Sequence, residues 1–209
     1  MHPVNLFSPS SFCVFCEIVA GRSPAEILHE DERVVVFRNR LRWVPVMLLA
    51  VPRVHMAQSE LWSNLGRAGA VAYEMGMKHS PEGFRLVSNF GPDAMQSQPH
   101  AHVHILSQPF LDHFEAAQNE LFYEDENVVI HRYPHSWVTL ALHAAPRRKV
   151  DLAAFWGDLG PIGRKLVDLG WENSRGGFRL LSHFAPTPEK EDIEPHVHLL
   201  GGTFLGEYA

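Results

Sequence analysis

The stretch Gln98-Pro99-His100-Ala101-His102-Val103-His104-Ile105-Leu106 decides the reading of the fold. Histidines alternate with apolar residues, and a period of two belongs to a strand with one buried face. The pattern predicts His100, His102 and His104 on one face, with Ala101, Val103 and Ile105 on the other. Pro99 has no N–H to give a ladder, so it suits the first position of the strand. Three imidazoles in a row are costly to bury without partners. The plain reading is a solvated edge strand; the specific one is a metal or phosphate site.

Outward from this stretch, the chain matches itself at a shift of 94 positions. Trp43-Val44 falls on Trp137-Val138, Pro52-Arg53 on Pro146-Arg147, and Trp62 on Trp156. Gly83-Phe84-Arg85-Leu86 falls on Gly177-Phe178-Arg179-Leu180, and His102-Val103-His104 on His196-Val197-His198. The shift never changes, so the pattern is a tandem duplication with units at 12–106 and 107–209. About 95 residues is an ordinary domain size.

Within the first unit, residues 27–30 and 33–38 read as a hairpin turning at Asp31-Glu32. Residues 44–52 read as a buried strand. Leu61, Leu65, Ala68, Ala72 and Met75 are spaced for one long helix over 58–79, followed by strands at 83–89 and 100–106. The second unit repeats this order with a helix over 152–170, in which Pro161 belongs to the first turn or to a kink. A short helix is expected near Leu111 to Glu120. The class is α+β: two tandem domains, each an antiparallel sheet with one long helix.

Composition narrows the function. A net charge of −6 gives no general attraction to nucleic acid or to an anionic membrane. No apolar run is long enough for a membrane span. Met1 to Ser11 lack the basic start and apolar core of an export signal, so the expected compartment is the cytoplasm. There, Cys13-Val14-Phe15-Cys16 reads as a metal or redox pair before a structural disulfide.

The second unit serves as an internal control on the first. Cys13, Cys16, His55 and His100 fall on Ser107, Phe110, Lys149 and Glu194. Four candidate ligands are absent together, which fits four groups serving one purpose. Two thiolates and two imidazoles make a tetrahedral zinc set, here structural and one per chain. The histidines kept in both units, His102 and His104 with His196 and His198, then need another reason. A neutral imidazole can attack phosphorus, so His102 is the candidate nucleophile, with His104 to hold or orient the group. Gln96, Ser97 and Asn89 offer neutral donors to phosphate oxygens. In the second unit the corresponding residues are Lys190, Glu191 and His183, with Asp192 and Glu194 added. These acidic residues would repel a phosphate beside His196, which reads as a second active site, or else as a relic or a structural contact.

At His100-Ala101-His102-Val103-His104 the chain resembles the histidine-triad superfamily of nucleotide hydrolases and transferases. Gln96-Ser97, Asn89, Pro52-Arg53-Val54-His55 and the paired cysteines extend the resemblance. It implies a nucleotide hydrolase or nucleotidyltransferase working through a covalent nucleotidyl-histidine on His102. Ser97, Gln96, Asn89 and His104 would line the phosphate site, and Cys13, Cys16, His55 and His100 would bind zinc. The substrate would be a nucleoside phosphoramidate, a dinucleoside polyphosphate or a similar small nucleotide, with no nucleic acid or membrane partner. Three positions depart from the family. Met95 stands where glycine is usual, Asn39 where an acidic residue often holds the ribose, and Met47 where a further histidine is common. Most members are homodimers whose sheets join, so two units in one chain imply an intramolecular pseudo-dimer. That arrangement resembles the branch containing galactose-1-phosphate uridylyltransferase. The rival readings are a non-catalytic nucleotide-binding or regulatory protein on a decayed scaffold, and a structural zinc module.

Overall fold

A computed structural model describes residues 12–107, 120–157, 159–184 and 195–206. The first stretch holds α1 (Val14–Val19), β1 (Ile27–Glu30), β2 (Val34–Arg38), β3 (Met47–Pro52), α2 (Gln58–Ser63), α3 (Gly66–His79), β4 (Phe84–Phe90) and β5 (Val103–Ser107). The later stretches hold β6 (Glu120–Glu124), β7 (Val128–Arg132), β8 (Leu140–Pro146), α4 (Leu152–Gly157), α5 (Gly160–Asn173), β9 (Phe178–Phe184) and β10 (Val197–Gly201). The class is α+β, as the sequence predicts. Among the described residues, all the strands lie in one ten-stranded antiparallel sheet of order β1-β2-β3-β5-β4-β9-β10-β8-β7-β6.

The order places β4 and β9 side by side at the centre, in a register running from Phe84↔Phe184 to Phe90↔Phe178. Alternation then sorts the side chains. Leu48, Ala50, Val103, Ile105, Leu86, Leu180, Leu199 and Leu142 enter a single core under the helices. Trp62 and Trp156 lie at its middle, both fully buried, with ring centroids 6.1 Å apart. Helices from the two stretches meet closely there: a Cβ on Gly69 would collide with the Trp156 carbonyl, and one on Gly163 with the Trp62 carbonyl. The opposite face of the sheet carries the histidines. One end of that face is roofed by α1, whose Phe15 and Ile18 pack with Val35, Phe37, Leu49 and Val51.

The turns follow local chemistry. Asp31 Oδ1 accepts from the N–H groups of Arg33 and Val34, and Asp125 Oδ1 does the same for Asn127 and Val128. Such side-chain acceptance is what suits aspartate to tight turns.

Three elements differ from the sequence reading. The helix expected over 58–79 is two helices, broken where Asn64 ends α2 and Gly66 takes φ +44°, a left-handed conformation that glycine tolerates. The second helix divides likewise at α4 and α5, with Pro161 in the first turn of α5, where its missing N–H costs nothing. The histidine strand begins at Val103 rather than at residue 100, and β5 lies between β3 and β4, which excludes the solvated-edge alternative. His102 N–H donates to the Gln58 side chain at 3.0 Å and Ala101 N–H to the Met56 carbonyl at 2.9 Å, so neither joins the ladder. The helix expected near Leu111 to Glu120 falls mostly outside the described residues, although Glu120 itself opens β6. Among the described residues no helix is long and apolar enough to cross a membrane.

Candidate functional site

The N-terminal helix brings both cysteines to the histidine segment. Donor atoms of Cys13, Cys16, His55 and His100 all lie within 4.8 Å of one another. Cys16 Sγ is 3.2 Å from His55 Nδ1 and 3.5 Å from His100 Nδ1, and Cys13 Sγ is 3.7 Å from His100 Nδ1. His100 is fully buried, and its Nε2 donates to the Pro52 carbonyl at 2.8 Å. A carbonyl only accepts, so the proton sits on Nε2 and the Nδ1 lone pair faces the thiols. That is the outer hydrogen bond expected of a metal-ligating histidine. Burial pushes His100 down to about 4 and raises Cys16 to about 11. A neutral imidazole is therefore ready to ligate, while the Cys16 thiol would need a cation to ionise at neutral pH. The donor set and its spacing fit a tetrahedral zinc.

Two residues on, His102 is held from three sides. Gln58 takes its N–H at 3.0 Å and gives an N–H to its carbonyl at 2.9 Å, and Ser88 Oγ gives to the same carbonyl at 3.0 Å. Its ring Nδ1 donates to the His100 carbonyl at 2.9 Å, so Nε2 carries the lone pair. That lone pair lies 3.2 Å from Nε2 of His104, which must then be the donor between them. Phe15 of α1 meets the His102 ring edge-on at 5.2 Å. Burial lowers the pKa of His102, and lowers that of His104 well below its usual value with help from the charges of His102 and Arg179. Both rings are neutral near pH 7, the form a nucleophile needs.

Two cavities open over these rings. One of about 380 Å³ reaches His102, His104, Ser97, Arg40 and Arg42. The other, of about 190 Å³, shares Ser97, His102 and His104, and adds Asn89, Met95 and Arg179. Asn39 borders both cavities, but its side-chain oxygen accepts from Leu41 N–H at 3.0 Å within its own loop. Gln96 does not line either one. Its amide accepts from Gly91 N–H at 2.9 Å and donates to the Gln98 carbonyl at 3.2 Å, shaping the loop that presents Ser97. Met95 sits in that loop at φ 59° and ψ 33°, a left-handed conformation in which a side chain costs about 1–2 kcal/mol.

The sequence reading missed Gln58, Ser88, Phe15 and Arg179. Gln58 falls on Leu152, a contrast that the duplication itself could have flagged. Arg179 approaches from β9, beside Asn89 in the strand register, and its Nε donates to Asn89 Oδ1 at 2.7 Å.

The second histidine pair lies on the same face of the sheet, at β10. Donor atoms of His183, His196 and His198 come within 4.8 Å of one another. His143 stacks on His196 at 5.4 Å, and Tyr133 Oη lies 3.1 Å from His198 Nδ1. Burial pushes His143 down to about 4 and His183 to about 3, and holds His198 well below its usual value. Ser182 Oγ donates to the His196 carbonyl at 2.5 Å, as Ser88 does for His102.

Comparison with known proteins follows the same outline. A family model described as "Scavenger mRNA decapping enzyme C-term binding" matches residues 12–120. The 14 kDa zinc-binding protein of Brassica juncea is 34% identical over 104 residues, spanning 44% of this chain and 89% of that protein. Adenylylsulfatase HINT1 of Arabidopsis thaliana is 34% identical over 104 residues, 44% of this chain and 69% of that protein. A solved uridylyltransferase superposes with a TM-score of 0.59 at 16% identity, covering 96% of this chain and 81% of that one, a likeness of fold.

Proposed function

The chain belongs to the histidine-triad superfamily, in the family of the scavenger mRNA decapping enzyme C-terminal binding domain, and from this we propose that it is a nucleotide hydrolase or nucleotidyltransferase acting through His102. The observation that carries the reading is the fixed tautomer of His102. With Nδ1 committed to a backbone carbonyl, the lone pair stays on Nε2, where the His104 Nε2–H meets it at 3.2 Å, and His102 lines a cavity with Ser97 and His104. In the first step Nε2 forms a bond to the α-phosphorus while the bond to the leaving group breaks, and the leaving group departs with that electron pair. Ser97 and Asn89 donate to the phosphate oxygens, and the His104 Nε2–H, which meets the His102 lone pair in the free chain, turns to them as that lone pair attacks. Water, or a second phosphate, then attacks the same phosphorus and frees His102. Asn39 borders the nucleoside end of the cavity.

The substrate is a small nucleotide: a nucleoside phosphoramidate, an adenylylsulfate or a dinucleoside polyphosphate. The exposed Arg40 and Arg42 beside the larger cavity favour the polyphosphate, whose outer charges they would meet. Cys13, Cys16, His55 and His100 would hold one structural zinc, which would tie α1 to the histidine segment. Thiols kept for a metal suit a reducing cytoplasm. Residues 12–106 and 107–209 act as two domains of one ancestry, paired through β4 and β9 as a pseudo-dimer. The matching Ser80/Ser174 and Asp31/Asp125 turns support the common ancestry, and the register of β4 with β9 supports the pairing.

The test is release of nucleoside monophosphate from adenosine phosphoramidate, adenylylsulfate and diadenosine tetraphosphate by the full chain. Turnover of at least one, lost in His102→Ala with zinc content unchanged, is the expected result. Binding without turnover of any would favour the regulatory alternative.

A further inference from the structure

The strand pairing at the centre of the sheet sets a residue of the C-terminal half against the N-terminal half's histidines. Asn89 on β4 faces Arg179 on β9 in the register. Arg179 is 2% exposed, its Nε donates to Asn89 Oδ1 at 2.7 Å, and a terminal nitrogen donates to the Gly206 carbonyl at 2.9 Å. It also lines the smaller cavity with Asn89, Ser97, His102 and His104.

We infer that Arg179 is a positioning residue for phosphate binding at the N-terminal histidines, so that the second half completes the first half's site. The inference rests on the phosphate-handling reading above and goes beyond it by giving the second half a task. A guanidinium only donates, so the atom of Asn89 that meets it must be the amide oxygen. The Asn89 –NH2 group is thereby turned away from Arg179 and left as a donor for a phosphate oxygen. Without Arg179 the amide is free to flip and present an oxygen to an anion, which repels it. The guanidinium adds a buried positive charge on the wall of the same cavity, where a charge-assisted contact is stronger than in water.

The position explains why the C-terminal half keeps Gly177-Phe178-Arg179-Leu180 while the set of Cys13, Cys16, His55 and His100 has no counterpart there. Its strand must carry the arginine to the neighbouring half even if its own histidines do no chemistry.

The probe is inorganic phosphate titrated into the zinc-loaded full chain, read by NMR at the His104 ring and, where present, the Asn89 side-chain amide. Wild type should show both groups shifting together. Arg179→Gln should weaken phosphate about tenfold, the loss of one charge-assisted hydrogen bond. Arg179→Lys should fall between, because it keeps the charge and loses the fork. Arg147→Gln, which removes an exposed charge of the same half, should match wild type. Asn89→Asp guards against misfolding: it keeps an oxygen for Arg179 but removes the donor, so the chain stays folded and phosphate binding is lost. Phosphate binding by Arg179→Gln or by Asn89→Asp equal to wild type overturns the inference, as does wild-type His104 and Asn89 unmoved by phosphate. If the phosphate results come out as expected but no nucleotide is turned over, the catalytic reading fails and the inference stands. If nucleotides are turned over equally by Arg179→Gln and wild type, the inference fails and the catalytic reading stands.

Discussion

His102 and His196 occupy the same place in two matching stretches, yet their surroundings differ in an instructive way. Each has its carbonyl held by a serine, Ser88 or Ser182. Each sits two residues before a second histidine that is largely buried. Among the described residues only His102 has its backbone gripped at both ends by a glutamine amide, since Gln58 corresponds to Leu152. Only His102 stands beside a helix carrying thiols. Around His196 the neighbours are more imidazoles, His143, His183 and His198. What the two share is a histidine pair with a serine on the first carbonyl, and what only His102 has is what would aim it in the proposed reaction.

The largest effect should come from the histidines themselves. His102→Ala should lower turnover at least a thousandfold, the scale for loss of a covalent nucleophile. His196→Ala should change initial rates less than about tenfold. Equal losses would make both stretches catalytic and dissolve the contrast.

Next comes the metal. Cys16→Ser should bring zinc from about one equivalent to near zero by elemental analysis and lower the thermal midpoint markedly, since metal binding contributes folding energy. Full zinc retention would remove the four-residue site.

A smaller effect should follow from exchanging the clamp. Gln58→Leu imports the residue found at the second position and leaves two buried backbone groups of His102 without that partner, at about 1–3 kcal/mol each. We expect kcat to fall more than stability accounts for, while Leu152→Gln leaves activity unchanged. Gln58→Leu at wild-type kcat would show that the clamp serves folding only.

The smallest effect is in acid. His143 and His183 have pKa values lowered by burial, so the unfolded chain binds their protons first as pH falls below about 6.5. Their contribution to stability is complete above that value and declines from there towards pH 4 and 3 respectively. His183→Asn, which installs the residue found at Asn89, should flatten the acid side of a stability–pH curve. An unchanged acid side would place the sensitivity elsewhere.

Much of this was legible in the chain. The constant shift of 94 positions pointed to a duplication, and the absence of four candidate ligands from the second stretch singled out Cys13, Cys16, His55 and His100, whose donor atoms lie within 4.8 Å of one another. Alternation around His102 gave the strand faces correctly. It missed where the ladder begins, because the N–H of His102 is taken by a helix residue 44 positions away. Gln58 gave no signal beyond its place at the start of the helix expected over 58–79, since only the packing turns its amide inward. Gln96 matched a phosphate-lining motif, but its amide is spent on its own loop. Arg179 was illegible for a different reason: it reaches Asn89 through a strand pairing between halves, which no pattern within either half encodes. The break at Gly66 hid inside a helical period that continues in phase across it.

The central claim is that His102 becomes covalently nucleotidylated, and the direct measurement is intact-protein and peptide mass spectrometry after rapid quenching with adenosine phosphoramidate at neutral pH. The account predicts one adenylyl group per chain, mapped to the peptide carrying His102 and absent from His102→Ala. A chain that turns the substrate over with no adduct, or with the adduct on His196, would contradict it.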